Sequence, residues 1–171
     1  MNQSVYLVGP MGAGKTTIGR LLSQQLGLDF LDSDHEIEAS TGVDIPTIFE
    51  YEGEAGFRER EEKAIDELTQ RSGLLLATGG GVVKNPNNRN HLGGRGTVIY
   101  LQVSVKEQLR RTRHDRNRPL LQTANPRELL EKMAAERSPL YEEIADYRFD
   151  TDNKTAKHVV SEIMVSLSNK V

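Results

Sequence analysis

The sequence contains no cysteine. That excludes disulfides, cysteine-held zinc, iron–sulfur clusters and a thiol nucleophile. Histidine is scarce too: four residues scattered over 171, too dispersed for a His-built metal centre. Long apolar runs are missing, since no segment approaches the ~20 residues that a membrane-spanning helix needs. The start, Met1 to Lys15, has no basic stretch leading into a long apolar one, so no secretory signal is expected. Neither sign of charge dominates: 22 lysines and arginines stand against 25 aspartates and glutamates, a net of −3. That balance argues against a general nucleic-acid binder. The length suits a single domain by the usual ~150 residues per domain, large enough to bury a core without staples. The expectation is a cytoplasmic enzyme or binding domain with no membrane partner.

The charge that is present is clustered. Glu50, Glu52, Glu54, Glu59, Glu61, Glu62, Asp66 and Glu67 crowd one stretch, which reads as a solvated helix face. Arg110, Arg111, Arg113, Arg116 and Arg118 crowd another, beside a loop-like segment.

Short apolar runs at 5–8, 30–31, 74–77, 98–103 and 147–149 predict strands. Between them lie helical patterns. Ala156, Val159, Val160, Ile163, Met164 and Leu167 follow the spacing of one buried helix face. Phe57, Ala64, Ile65 and Leu68 give a second amphipathic stretch. Ser33-x-x-Glu36 and Ser104-x-x-Glu107 read as capping boxes. Asn125-Pro126 and Ser138-Pro139 read as cap residues followed by proline at the first helical position. Alternating strands and helices imply a parallel sheet covered on both faces, with ligands at the carboxyl ends of the strands.

At one such end stands Gly9-Pro10-Met11-Gly12-Ala13-Gly14-Lys15-Thr16, which fits G-x-x-x-x-G-K-[ST] between a strand and a helix running from Thr16 to Leu26. Glycines let backbone amides turn inward around phosphate oxygens, and a helix N-terminus adds partial positive charge. Lys15 is expected to reach the β- and γ-phosphates and Thr16 to ligate Mg²⁺. The chain is therefore expected to bind a nucleoside triphosphate.

The guanine reader N-K-x-D is absent, since Asn153-Lys154 continues as Thr155-Ala156, and no D-x-x-G sequence exists. Nor does the third strand end in the acidic pair of a motor ATPase; it runs into Thr78-Gly79-Gly80-Gly81. The acids follow the second strand, as Asp32-Ser33-Asp34. Asp32 suits a supporting Mg²⁺ role, and Asp34 can orient an acceptor hydroxyl and take its proton. Both can also be plain turn and cap residues. Gly79, Gly80 and Gly81 allow a close backbone approach to a substrate. Arg58, steadied by Glu61 at i+3, and Arg137, placed between two helices, suit an anionic acceptor. The segment 113–125 is polar, contains Pro119 and reads as a lid from which Arg118 can close over phosphates.

Together these residues resemble shikimate kinase. The resemblance is carried by Gly9 to Thr16, Asp32-Ser33-Asp34, Gly53-Glu54-x-x-Phe57-Arg58-x-x-Glu61, Thr78-Gly79-Gly80-Gly81, Arg118-Pro119-Leu120-Leu121 and Arg137-x-x-x-Tyr141, in family order. It implies a single domain, 1–171, with a three-layer α/β/α architecture around a five-stranded parallel sheet. Within it a substrate-binding region covers about 33–61 and a lid about 112–125. It implies ATP-dependent phosphorylation of the 3-hydroxyl of shikimate, a step of chorismate and aromatic amino-acid biosynthesis. Gly12, Ala13, Gly14, Lys15, Thr16 and Thr17 would hold the nucleotide phosphates, with Thr16 and Asp32 at Mg²⁺. Asp34 would act as base or orienter. Arg58 and Arg137 would clamp the acceptor carboxylate, and Gly79, Gly80 and Gly81 would complete the pocket. Phe49 and Phe57 would pack against the ring. Lys15 and Arg118 would stabilise the transferring group, Arg111 would stack on adenine, and Lys154 would lie at the adenine end. A monomer is expected. Two rivals stay open: a gluconate or nucleoside monophosphate kinase of the same fold, and a catalytically silent ATP-binding module that regulates a partner.

Overall fold

The computed structural model describes residues 3–112 and 124–169. Five strands, β1 (Val5–Val8), β2 (Asp29–Asp32), β3 (Leu74–Ala77), β4 (Thr97–Gln102) and β5 (Tyr147–Asp150), form one sheet in the order β2-β3-β1-β4-β5. Every neighbouring pair is parallel. The helices are α1 (Lys15–Leu26), α2 (Ser33–Thr41), α3 (Ile45–Thr69), α4 (Pro86–Arg95), α5 (Val105–Thr112), α6 (Pro126–Ile144) and α7 (Ala156–Ser168).

A strand sends successive side chains to opposite faces, and the central strands are apolar on both, as a doubly covered sheet requires. Val5, Leu7, Leu75, Ile99 and Leu101 pack with α1 and α7 on one face. Tyr6, Val8, Leu76, Val98 and Tyr100 pack on the other, with residues of α3, α4 and α6. β1 and β3 are neighbours whose chains leave toward opposite faces, β1 into α1 and β3 toward α4. Their outgoing loops therefore diverge and open a crevice above the sheet, where open α/β folds bind ligands.

Several local expectations are corrected. β2 extends beyond Phe30 and Leu31 because Asp29 and Asp32 pair in backbone register with Leu74 and Ala77, which needs no apolar side chain. β4 runs one residue earlier than expected, from Thr97, and Val103 leaves the ladder. Ser33 does not cap α2. Asp32 does, accepting from the Asp34 N–H at 2.9 Å and the His35 N–H at 3.3 Å. Ser104 does accept from Glu107 N–H at 3.2 Å, but Glu107 turns to Arg110 and Arg111, and Asp152 takes the Ser104 N–H. Asn125 caps α6 as expected, accepting from Glu128 N–H at 3.1 Å. Ser138-Pro139 starts nothing: α6 continues through Pro139. Its buried row Leu130, Met133, Arg137 and Tyr141 holds one face together where proline withholds a hydrogen bond. α3 starts well before Phe57 and breaks at Gly53 (φ 72°, ψ −178°).

Candidate functional site

One wall of the crevice is contiguous in sequence. Gly9 has φ 150°, and a Cβ there would lie 2.3 Å from the Leu101 carbonyl oxygen, so only glycine lets the chain turn off β1 so close to β4. The loop ends at Gly14, a left-handed N-cap without a side-chain acceptor, so no side chain covers the first amides of α1. Two side chains from α5 hold the loop from behind. Gln108 donates to the Met11 carbonyl at 2.8 Å, and Arg111 donates to the Gly12 carbonyl at 2.9 Å. Lys15 folds its ammonium across the loop, donating to the Gly9 and Pro10 carbonyls at 2.6 and 2.9 Å. Thr16 Oγ1 donates to Asp32 Oδ2 at 2.9 Å, which joins the loop to the end of β2. Ala13 is buried beneath the loop, and Thr17 is exposed.

The opposite wall is assembled from four separate elements that meet on three glycines. A Cβ on Gly79 would lie 3.0 Å from Asp34 Oδ1 and 3.3 Å from Glu61 Oε2. One on Gly81 would lie 2.4 Å from Arg58 Nη2, so a side chain there would displace the Arg58 guanidinium. One on Gly80 would lie 3.6 Å from Arg137 Nη1 and 3.3 Å from the Met11 nitrogen of the facing loop. The glycine run thus brings Asp34 of α2, Arg58 of α3 and Arg137 of α6 to one end of β3, beside the loop after β1.

The electrostatics follow from burial. Glu61, 1% exposed, accepts from Arg58 Nη1 at 2.9 Å. Desolvation dominates its proton affinity and raises its pKa to about 7, although the Arg58 and Arg137 guanidiniums pull it down. The acidic stretch expected to be solvated thus has one fully buried member. Arg58 Nε and Arg137 Nε are both buried and have no acceptor among the described residues. Leaving such donors unmet costs free energy that an anion can offset.

Phe57 is buried with Ile37 and Ile48 where α2 meets α3. Phe49 packs on it with ring centroids 5.1 Å apart, and the Arg58 guanidinium carbon lies 5.2 Å from the Phe57 ring centre. Arg111 lines the cleft, its edges spent on Gly12, Glu107 and both oxygens of Thr151. Lys154 pairs with Glu162 at 3.0 Å and does not line the cleft. Arg118 and nearly all of the expected lid lie outside the described residues.

The cleft between the loop after β1 and the side formed by Asp34, Gly79 and Gly80 has a volume of about 590 Å³, within the usual range for a small-molecule site; Arg58, Arg137, Gly81, Phe49 and Phe57 are not among the residues that line it. His35, Glu38, Asp44 and Ile45 also line it, and sequence reasoning missed all four. Asp44 carried a legible signal, since it caps α3 just before Ile45-Pro46, accepting from Thr47 N–H at 3.0 Å. Gln108 and Thr151 carried none.

A family model described as shikimate kinase matches residues 11–168. The shikimate kinase of Vibrio vulnificus is 58% identical over 165 residues, covering 96% of this chain and 96% of its own. That of Vibrio campbellii is 55% identical over 168 residues, covering 98% of each. The structure of shikimate kinase from Acinetobacter baumannii in complex with shikimate superposes with a TM-score of 0.97 at 52% identity, covering 100% of this chain and 96% of that one. The shikimate kinase structure from Aquifex aeolicus gives 0.85 at 34% identity, covering 97% and 96%.

Proposed function

The chain belongs to the shikimate kinase family, and from that premise we propose that it transfers the γ-phosphoryl group of ATP to the 3-hydroxyl of shikimate. The products are shikimate 3-phosphate and ADP, a step of chorismate and aromatic amino-acid biosynthesis. The observation that carries the reading is the meeting of Asp34, Arg58 and Arg137 on the Gly79–Gly81 run, beside a phosphate-binding loop.

The loop amides and the N-terminus of α1 receive the phosphates, joined by Thr17. Lys15 exchanges its two carbonyl partners for phosphate oxygens and stabilises the charge that spreads over the transferring group. Mg²⁺ suits one or two hard protein oxygens with phosphates and water completing its shell. The Thr16 hydroxyl, hydrogen-bonded to Asp32, offers such a pair. When bound, the ion would neutralise phosphate charge. The guanidinium face of Arg111, its edges already held, stacks on adenine, with Lys154 at that end of the site.

On the other wall, the half-buried Arg58 and buried Arg137 guanidiniums grip the acceptor carboxylate. Asp34 accepts a ring hydroxyl and orients or deprotonates the one that attacks. Phe49 and Phe57 form the apolar wall of the region from about 33 to 61. Excluding water there favours transfer to the acceptor over hydrolysis. The proposed working unit is a monomer.

The test is ³¹P and ¹H NMR of the product made from ATP, Mg²⁺ and shikimate. One new phosphomonoester coupled to the proton on carbon 3 is expected. A phosphate on another hydroxyl, or none on shikimate, contradicts the reading.

A further inference from the structure

Tyr141 lies on α6, one turn beyond Arg137, and is 1% exposed. Its ring packs on Tyr100 of β4 with centroids 5.0 Å apart. Its hydroxyl donates to the carbonyl of Gly80 in a close hydrogen bond. Burial pushes the phenol pKa well above its ordinary value, against the pull of Arg137, so the hydroxyl stays a donor throughout the physiological range. The residue it holds is the middle glycine of the run, wedged between the Met11 nitrogen and the Arg137 guanidinium.

A trans peptide points its carbonyl and the following N–H in opposite directions. Fixing the Gly80 carbonyl toward α6 therefore fixes the Gly81 N–H away from α6. Neither the Gly80 nor the Gly81 N–H has an acceptor among the described residues. The same helix carries Arg137, so one rigid element sets both the direction of the Gly81 amide and the place of a carboxylate-binding guanidinium.

We propose that Tyr141 is a positioning residue for the acceptor: through the Gly80 carbonyl it aims the Gly81 amide at the bound shikimate, in register with Arg137. This rests on the reading of the pocket as the shikimate site. It assigns Tyr141 no part in phosphoryl transfer and no contact with ATP.

The experiment compares Tyr141→Phe with the wild type and with Tyr6→Phe. Tyr141→Phe keeps the ring on Tyr100 and removes only the hydroxyl. Tyr6→Phe removes another buried hydroxyl that bonds backbone carbonyls, those of Thr69 and Arg95, at the opposite end of the sheet. Loss of one such bond corresponds to about a five- to tenfold effect. Tyr141→Phe should raise the shikimate KM by that factor and leave the ATP KM within about twofold. Tyr6→Phe should change neither KM, whatever it does to the melting temperature. An unchanged shikimate KM in Tyr141→Phe overturns the proposal, as does an equal rise in both KM values, which marks a merely structural tyrosine. A wild type that ignores shikimate overturns the pocket reading first, and the proposal with it; the wild-type control separates the two failures.

Discussion

The two walls of the crevice are built in opposite ways. The donor wall is eight consecutive residues, Gly9 to Thr16, whose shape follows from local backbone geometry and one helix N-terminus. The acceptor wall takes Asp34, Arg58, Gly79 to Gly81 and Arg137 from four elements spread over about a hundred residues, and exists only once the parallel sheet has formed. A local motif specifies a chemistry shared by many proteins, whereas an assembled wall specifies one acceptor. Substitutions on the two walls should therefore fail differently: the first in ATP use, the second in acceptor use.

Lys15→Ala should give the largest effect, a loss of shikimate-dependent ADP release of about a thousandfold or more, because the transferring group loses its fixed positive charge. Asp34→Asn should lower kcat by roughly a hundred- to ten-thousandfold with ATP affinity intact by calorimetry, since only the acceptor side changes. If ATP affinity falls with it, the walls are not separable. Arg58→Ala should raise the shikimate KM by about ten- to a hundredfold and leave the ATP KM alone, the cost of one charge-assisted contact.

Glu61→Gln sharpens the comparison through pH. The folded-state pKa of Glu61 is raised by burial to about 7, from 4.5. The folded chain then holds this proton more tightly than the unfolded chain does. The resulting stabilisation is whole below about 4.5 and is lost as pH rises through about 7. The wild-type melting temperature should decline relative to Glu61→Gln between about pH 5 and about pH 8. Parallel melting curves across that range would place the ionised carboxylate at no disadvantage. The smallest effect is expected for Lys154→Ala, a rise in ATP KM of about twofold or less, because its ammonium is already engaged by Glu162 and does not line the cleft.

The same contrast explains what the sequence alone reveals. The phosphate loop was legible because glycine, lysine and threonine at fixed spacing leave one local conformation. The sheet was legible because the central strands are apolar on both faces. The buried state of Glu61 was not, because it sits among seven other acids in one stretch and only packing singles it out. The cap of α2 was misread because Asp32 and Ser33 are both good caps and the end of β2 decides between them. Proline at 139 looked like a helix start because sequence weighs the lost hydrogen bond and not the buried row that spans it. Gln108 and Tyr141 hold the two glycine-rich loops from behind, through backbone carbonyls, and such bonds have no sequence signature.

The most direct measurement is ADP release from Mg-ATP by the purified chain, with shikimate, gluconate and nucleoside monophosphates as separate acceptors. A large stimulation by shikimate alone is the result predicted by the proposal that Arg58 and Arg137 bind a carboxylate and Asp34 a hydroxyl. Equal stimulation by gluconate or by a nucleoside monophosphate, or ATP binding with no release on any acceptor, would contradict it.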